Sequence, residues 1–330
     1  MLRAAGKVCR SIAVSVKQSH RLMLTRDFNI GIIGSGSVGV ACASSLLQNP
    51  ITTNIFMCDS NTALCEGEVM DLEDESFLSG TKIQAKRIEE LNDSNCDIIV
   101  ITAGCKQVHG ESRTDLIGRN ALLLNGIIKS LGPINPKTIL LLVANPVDIL
   151  TALAEKWTSQ YIPSNQVIGS GTYLDSKRLC VALSKKMNIS PSSVNAYVIG
   201  EHGDSQVVPR SIVRVGGCTL TDLGIADGEL SELERQTRKR AYEIISRKGY
   251  TSHGIGQCVA AICENILEDR RIIMTVTAKH PEFGTHLGWP VVLGRSGIQM
   301  LLPVHLTEEE REKMKASATL MNGLKNTVLF

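Results

Sequence analysis

The chain has 330 residues, 43% of them hydrophobic, with 35 basic and 33 acidic side chains and a formal net charge of +2. That length suits one large α/β domain or two packed domains, and the longest uninterrupted apolar run, Ile139 to Ala144, is far too short to cross a bilayer. The ten cysteines form no CxxC pair and no His/Cys cluster at metal spacing, which argues for reduced, mostly buried thiols and against a disulfide framework or a metal site.

The charge is uneven along the chain. Six Lys/Arg and no acid lie in residues 1–26, which leaves 29 basic and 33 acidic side chains in residues 27–330, a net of −4. The body therefore offers no basic stripe for nucleic acid. Arg3, Lys7, Arg10, Lys17 and Arg21 recur near helical spacing, with Val8, Ile12 and Val16 as an apolar line on another side. This profile is that of a mitochondrial presequence. An N-terminal oligomerisation arm on a cytoplasmic protein is the competing reading of the same residues.

The body opens with Phe28, Ile30, Ile32 and Ile33, an apolar run suited to a buried parallel strand, and runs directly into Gly34-Ser-Gly36-Ser-Val-Gly39. Val38 to Gln48 then has no breaker and reads as a helix opening at the glycines. In such a strand–turn–helix unit Gly34 makes the tight turn, Gly36 lets the backbone approach a pyrophosphate, Gly39 allows close helix–strand packing, and the free amides at the helix start face the phosphates. A second apolar run, Asn54 to Cys58, ends at Asp59, 20 residues beyond Gly39. A carboxylate there accepts the ribose hydroxyls and repels a 2′-phosphate, so the unit predicts a site for NAD and not NADP.

Apolar runs at 28–33, 53–58, 97–101, 138–144 and 166–168 alternate with helical stretches. The pattern predicts an α/β protein, a Rossmann doubly wound parallel sheet over 27–169, followed over 170–330 by an α+β substrate-binding domain. Ligands of such sheets sit beyond the carboxyl ends of the strands. The loop after the third run, Thr102 to Arg113, is framed by Gly104 and Gly110 as a hinged lid carrying Lys106, Gln107 and Arg113. After the fourth comes Ala144-Asn145-Pro146-Val147-Asp148, with Pro146 ending the strand and Asn145 at the crevice. Asp175 and Arg178 are three residues apart and share a helix face, a spacing that a solvated salt bridge would satisfy equally. Ser193 to Ile199 reads as a strand that presents His202 between Gly200 and Gly203, glycines that would let a substrate come close, while His280, His286 and His305 fall in polar loop contexts.

Farther on, Thr251 to Leu267 reads as a helix that packs back on the first domain and carries Ile255 towards the nicotinamide. Pro290 to Leu293 reads as a strand. Thr307 to Glu310 is a capping box opening a last helix with Met314, Ala318, Met321 and Leu324 inward.

Taken together and in this order, GSGSVG, TAGCKQVHGESR, ANPVD, LDSKR, IGEHGDS and KGYTS resemble the L-lactate and malate dehydrogenase family, from about Asp27 to Phe330. The resemblance implies an NAD-dependent oxidoreductase of 2-oxo and 2-hydroxy acids. It implies His202 as the acid/base group, Asp175, 27 residues upstream, as its partner, Arg113 polarising the carbonyl, and Arg178 clamping the substrate carboxylate. Asn145 and Thr251 would line the pocket, and Lys106, Asn145 and Ile255 would reach the cofactor. In this family the residue six before the lid arginine is arginine in malate enzymes and glutamine in lactate enzymes. Gln107 therefore implies pyruvate and L-lactate as the substrate pair, with a malate or broader 2-hydroxy-acid dehydrogenase as the alternative. His253-Gly254 stands where Trp-Ala is common, which implies a roomier pocket wall beside Thr251, and Arg210 stands where a tryptophan is usual. Cys180 and Asn195 replace the arginine and histidine by which bacterial relatives bind fructose bisphosphate, so no such activation is expected. A homotetramer is the implied assembly.

Overall fold

The computed structural model describes residues 27–49, 51–105 and 112–327. The basic leader and residues 106–111 of the lid, Lys106 and Gln107 among them, lie outside the described residues, as does the side chain of Arg113.

Six short strands build the parallel part of one sheet: β1 (Asn29–Ile33), β2 (Asn54–Cys58), β3 (Lys82–Ala85), β4 (Ile98–Ile101), β5 (Ile139–Leu142) and β6 (Val167–Gly169), in the order 3-2-1-4-5-6. Alternate side chains enter opposite cores. Ile98 and Val100 of β4 join one, Ile99 and Ile101 the other, which is why these strands read as unbroken apolar runs. Helices α1 (Ser37–Gln48) and α2 (Thr62–Glu75) cover the first face, and α3 (Arg113–Leu131) and α4 (Val147–Thr158) the second. The direction of winding reverses between β1 and β4, so the loops after Ile33 and Ile101 meet at one crevice.

After β6 come α5 (Tyr173–Met187), a two-stranded ribbon of β7 (Val194–Asn195) and β8 (Arg214–Val215), and two helices, α6 (Asp227–Lys248) and α7 (His253–Leu267). The antiparallel strands β9 (Ile273–His280), β10 (Thr285–Gly294) and β11 (Gly297–Leu301) then join the same sheet at its β6 edge through Gly169 and Thr277. A nine-stranded sheet thus runs across the 169/170 boundary. The chain ends in α8 (Glu308–Asn326), opened by the Thr307/Glu310 capping box and burying Met314, Ala318 and Met321. As expected, α7 packs back on α1. A Cβ at Gly256 would stand 2.4 Å from the Ala41 carbonyl oxygen, so only glycine permits that approach. Of the described cysteines, Cys218 is exposed, Cys105 is half-buried and the others are buried, all as free thiols.

Four expectations need correction. No strand was expected at Lys82–Ala85; as the sheet's edge it buries only Ile83, so it carries no apolar run to betray it. The strand expected over Ser193–Ile199 is paired only at Val194 and Asn195, after which the chain crosses to bridge Ile199 with Val207 and Gly200 with Gly288. Pro290 to Leu293 is the interior of a strand that begins at Thr285. His280 and His286 are not in polar loops. His280 ends β9 with its ring 4.3 Å from that of Trp289, and burial holds its pKa below the ordinary histidine value. His286 is buried in β10 against Glu155, and that hydrogen bond is the main reason the Glu155 carboxyl is held down to about 2.

Candidate active site

At the crevice, β1 leaves through Gly34 with φ +110°, a backbone conformation that side-chain-bearing residues rarely adopt. A Cβ on Gly34 would lie 2.6 Å from the Ala103 amide nitrogen, and one on Gly39 1.8 Å from the Gly34 carbonyl oxygen. These two glycines close the turn on itself. Gly36 differs, since a Cβ there would meet nothing within 4 Å. It faces open space at the N-terminus of α1, whose N-cap makes no side-chain hydrogen bond. First-turn amides have no intrahelical acceptors, and the helix dipole favours anions at this end. Asp59 stands beside the turn at the end of β2, its Oδ2 accepting the Ser35 amide at 2.7 Å and its Oδ1 that of Asn61 at 2.9 Å. Each oxygen keeps accepting capacity for a ribose hydroxyl. These residues fit a dinucleotide: an open glycine for the pyrophosphate and an anchored carboxylate for the ribose.

The candidate chemistry gathers on α5. Asp175 lies in its first turn and Arg178 follows on the same face, with Arg178 Nη1 3.3 Å from Asp175 Oδ1. From the other side, His202 Nδ1 lies 2.6 Å from Asp175 Oδ2. One carboxylate, 4% exposed, is therefore shared between a guanidinium and an imidazole. The loop that brings His202 here is fixed by its backbone. Gly200 exchanges two hydrogen bonds with Gly288 of β10, at 2.9 and 2.8 Å, and the His202 amide donates to Asp148 Oδ2 at 2.8 Å. Thr277 donates its hydroxyl to the other oxygen of Asp148 at 2.6 Å. With Nδ1 committed to Asp175, Nε2 is the ring nitrogen left for a ligand, and the His202 side chain is 27% exposed.

Burial disfavours the imidazolium, yet the Asp175 carboxylate, with Asp148 behind it, raises the His202 pKa above the ordinary histidine value. Burial likewise works against ionisation of Asp175, but His202 and then Arg178 bring its pKa below the usual carboxylate range. An imidazole so placed holds its proton to higher pH than free histidine and still titrates, as a proton donor to a carbonyl must.

Of the residues expected at the site, His202, Asp175 and Arg178 are in direct contact. Thr251 and Ile255, at the start of α7, line a groove that begins at Arg178. Asn145 is exposed at the carboxyl end of β5, three residues before Asp148. Arg113 opens α3, capped by Ser112, whose hydroxyl accepts the Asp115 amide. His202 turns its Nδ1 to Asp175 and not to Asp204, the acid two residues on in its own loop. The flanking glycines also serve another end than substrate access: Gly200 has φ +86° and packs on Ser317, and a Cβ on Gly203 would strike the Glu201 carboxylate. Asp148 was given no role from the sequence. The signal that could have found it is an acid in the first turn of an otherwise apolar helix, VDILTALA.

The lactate/malate dehydrogenase NAD-binding domain model matches residues 28–169, and the α/β C-terminal domain model of that family matches residues 172–329. L-lactate dehydrogenase A of Rhizopus oryzae is 40% identical over 296 residues, 89% of this chain and 91% of that protein. L-lactate dehydrogenase of Limosilactobacillus reuteri is 38% identical over 301 residues, 89% of this chain and 92% of its own. Among solved structures, a lactate dehydrogenase from a Medee basin deep-sea metagenome library superposes with a TM-score of 0.88 at 30% identity, covering 93% of this chain and 100% of that one. With both domain models matched across nearly all the described residues and the dinucleotide turn built as they require, the chain belongs to the lactate/malate dehydrogenase family.

Proposed function

We infer that the chain is an NAD-dependent L-lactate dehydrogenase, interconverting pyruvate and L-lactate. The observation that carries the reaction is the 2.6 Å pair of His202 and Asp175 beside Arg178, all three converging on α5. Gly34, Gly36, Gly39 and Asp59 would hold NADH, which when bound would supply the hydride for the carbonyl carbon. Arg178 grips the substrate carboxylate through its planar fork, which fixes the carbonyl relative to His202. His202 gives its proton to the carbonyl oxygen in reduction and takes it back in oxidation. Asp175 holds the ring orientation and favours the charged imidazole before the proton leaves. Asp148 sets the height of the loop by holding the His202 amide. Arg113 polarises the carbonyl from the lid, Asn145 and Thr251 line the substrate, and Lys106 and Ile255 complete the cofactor site with Asn145.

Preference for pyruvate rests on the neutral Gln107. An amide leaves the second carboxylate of oxaloacetate without a countercharge in a closed site, which costs several kcal/mol, on the order of 10³-fold in kcat/KM. Initial rates with pyruvate, oxaloacetate and 2-oxobutyrate at fixed NADH test this. Pyruvate should lead oxaloacetate by about that factor, and the reverse order would make the chain a malate dehydrogenase. We further propose a homotetramer. Sedimentation equilibrium at micromolar concentration should give four times the 35.8 kDa chain mass, and a monomer would contradict it.

A further inference from the structure

Asp148 is a carboxylate where an uncharged group would serve as a tether. It lies in the first turn of α4 and is buried, with its Oδ2 accepting the His202 amide at 2.8 Å and its Oδ1 the Thr277 hydroxyl at 2.6 Å. Holding one main-chain amide needs an acceptor and nothing more, and an asparagine would supply it without burying a charge. Burying a carboxylate costs more than burying an amide unless its surroundings stabilise the anion. Here they do. Both groups that it meets are donors, so the ionised form is the one whose two oxygens are matched. Pro146 at the N-cap makes no side-chain hydrogen bond, the first-turn amides of α4 have no intrahelical acceptor, and the helix dipole favours an anion at this end. Burial still raises the Asp148 pKa above the ordinary aspartate value, against the pull of Thr277 and His202.

His202 thus answers to two carboxylates. Asp175 takes Nδ1 from α5, with Arg178 beside it, and Asp148 approaches from α4 through the main chain. In the loop itself, Glu201 turns its carboxylate to Ser205, and Asp204 is exposed. A second histidine, His286 of β10, lies near Asp148 and is itself paired with Glu155. Thr277 sits where β9 bridges β6 at Gly169, the joint between the parallel and antiparallel parts of the sheet. Asp148 therefore ties α4 of the nucleotide-binding half, β9 of the other half and the loop of His202 together at one point.

We propose that Asp148 is a second positioning residue of the reaction and acts on His202 in two separable ways: its hydrogen bond fixes where Nε2 presents the proton, and its negative charge stabilises the imidazolium from behind. The proposal rests on the dehydrogenase reading and deepens it. Asp175 orients the ring, and the two carboxylates together set how firmly the proton is held. In reduction that field keeps the donor loaded at neutral pH. In oxidation it makes the neutral ring a stronger base towards the substrate hydroxyl. Exclusion of water from the site strengthens it, because the effective dielectric falls.

The test separates charge from tether. In Asp148→Asn the side-chain carbonyl accepts the His202 amide and the amino group donates to the Thr277 hydroxyl, so the charge goes and the tether stays. Asp148→Ala removes both. Histidine-selective ¹³C labelling, with the His202→Gln spectrum to assign the resonance among seven histidines, follows the ring without any turnover. The His202 titration midpoint should fall by about one pH unit in Asp148→Asn. Reduction needs the protonated ring, so the kcat/KM deficit of Asp148→Asn for pyruvate should widen about tenfold between about pH 6 and about pH 9. The Asp148→Ala deficit should be on the order of 10²-fold already at the lower pH, since protonation does not restore a misplaced donor. Thr277→Val keeps the carboxylate but takes away a donor, so Asp148 protonates more readily and the His202 midpoint should fall in part. That variant decides the charge if the position-148 variants fail to fold. An unmoved midpoint in Asp148→Asn, or in Thr277→Val where it stands in, overturns the proposal, and so does an Asp148→Ala deficit that matches that of Asp148→Asn at every pH. Absence of turnover with any 2-oxo acid would instead defeat the dehydrogenase reading, and the ring titration would still decide whether Asp148 sets the charge of His202.

Discussion

Replacing His202 with glutamine is expected to lower kcat/KM for pyruvate reduction by about 10²–10⁴-fold, the usual worth of a positioned acid/base group. Glutamine keeps a polar side chain facing Asp175 but has no proton that titrates near neutrality, so the carbonyl oxygen must draw on water. The backbone that holds position 202 is untouched, because the bonds from its amide to Asp148 and between Gly200 and Gly288 involve no atom of the ring. Cofactor binding at the other end of the crevice should persist. Steady-state kinetics with NADH fluorescence titration and thermal unfolding of the same variant would separate lost chemistry from lost structure. A folded, NADH-binding variant within tenfold of wild type would remove His202 from the mechanism.

Much of this arrangement was legible in the chain, and the parts that were not have a common physical cause. Strands buried on both faces declare themselves as apolar runs, so β1, β2, β4, β5 and β6 fall within a few residues of their expected places. Strand β3 lies at an edge with Lys82, Gln84 and Ala85 exposed, and its backbone pairing with β2 leaves no trace in the side chains. The glycine turn and Asp59 are close in sequence and could be read as a unit. Asp175 and Arg178 share a face by helical spacing alone, whereas the pairing of His202 with Asp175 needed the family pattern.

Long-range contacts were the blind spot. Asp148 acts on the main-chain amide of a residue 54 positions away, an interaction that the identity of the partner side chain does not constrain. His280 and His286 looked like loop residues because Pro281 and Gly284 sit between them. Those breakers mark the tight turn of the β9–β10 hairpin; the His280 ring meets Trp289 of the facing strand, and only Glu155, the partner of His286, is remote in sequence.

Asp175→Asn should lower the rate of pyruvate reduction at neutral pH by about 10²-fold or more and shift its pH profile to the acid side. Reduction requires the protonated ring, so its rate falls as pH rises through the His202 pKa. The carboxylate that raises that pKa is gone in the variant, while burial and Arg178, which both lower it, remain. Lactate oxidation requires the neutral ring, so its rising limb should move the same way. The stability of the protein carries the same signature. Because the folded-state pKa of His202 is raised, its contribution is complete below the ordinary histidine value of 6.5 and is lost as pH rises through the folded value. Because that of Asp175 is lowered, its contribution is complete above the ordinary value of 3.8 and is lost as pH falls through the folded value. The ion pair therefore stabilises the fold most between those ordinary values. Urea unfolding of wild type and Asp175→Asn at about pH 5.5 and about pH 9 should show the larger difference at the lower pH, with the contact to Arg178 accounting for what persists at the higher. Equal differences at the two pH values, together with an unmoved kinetic profile, would mean that Asp175 fills space beside His202 without setting its charge.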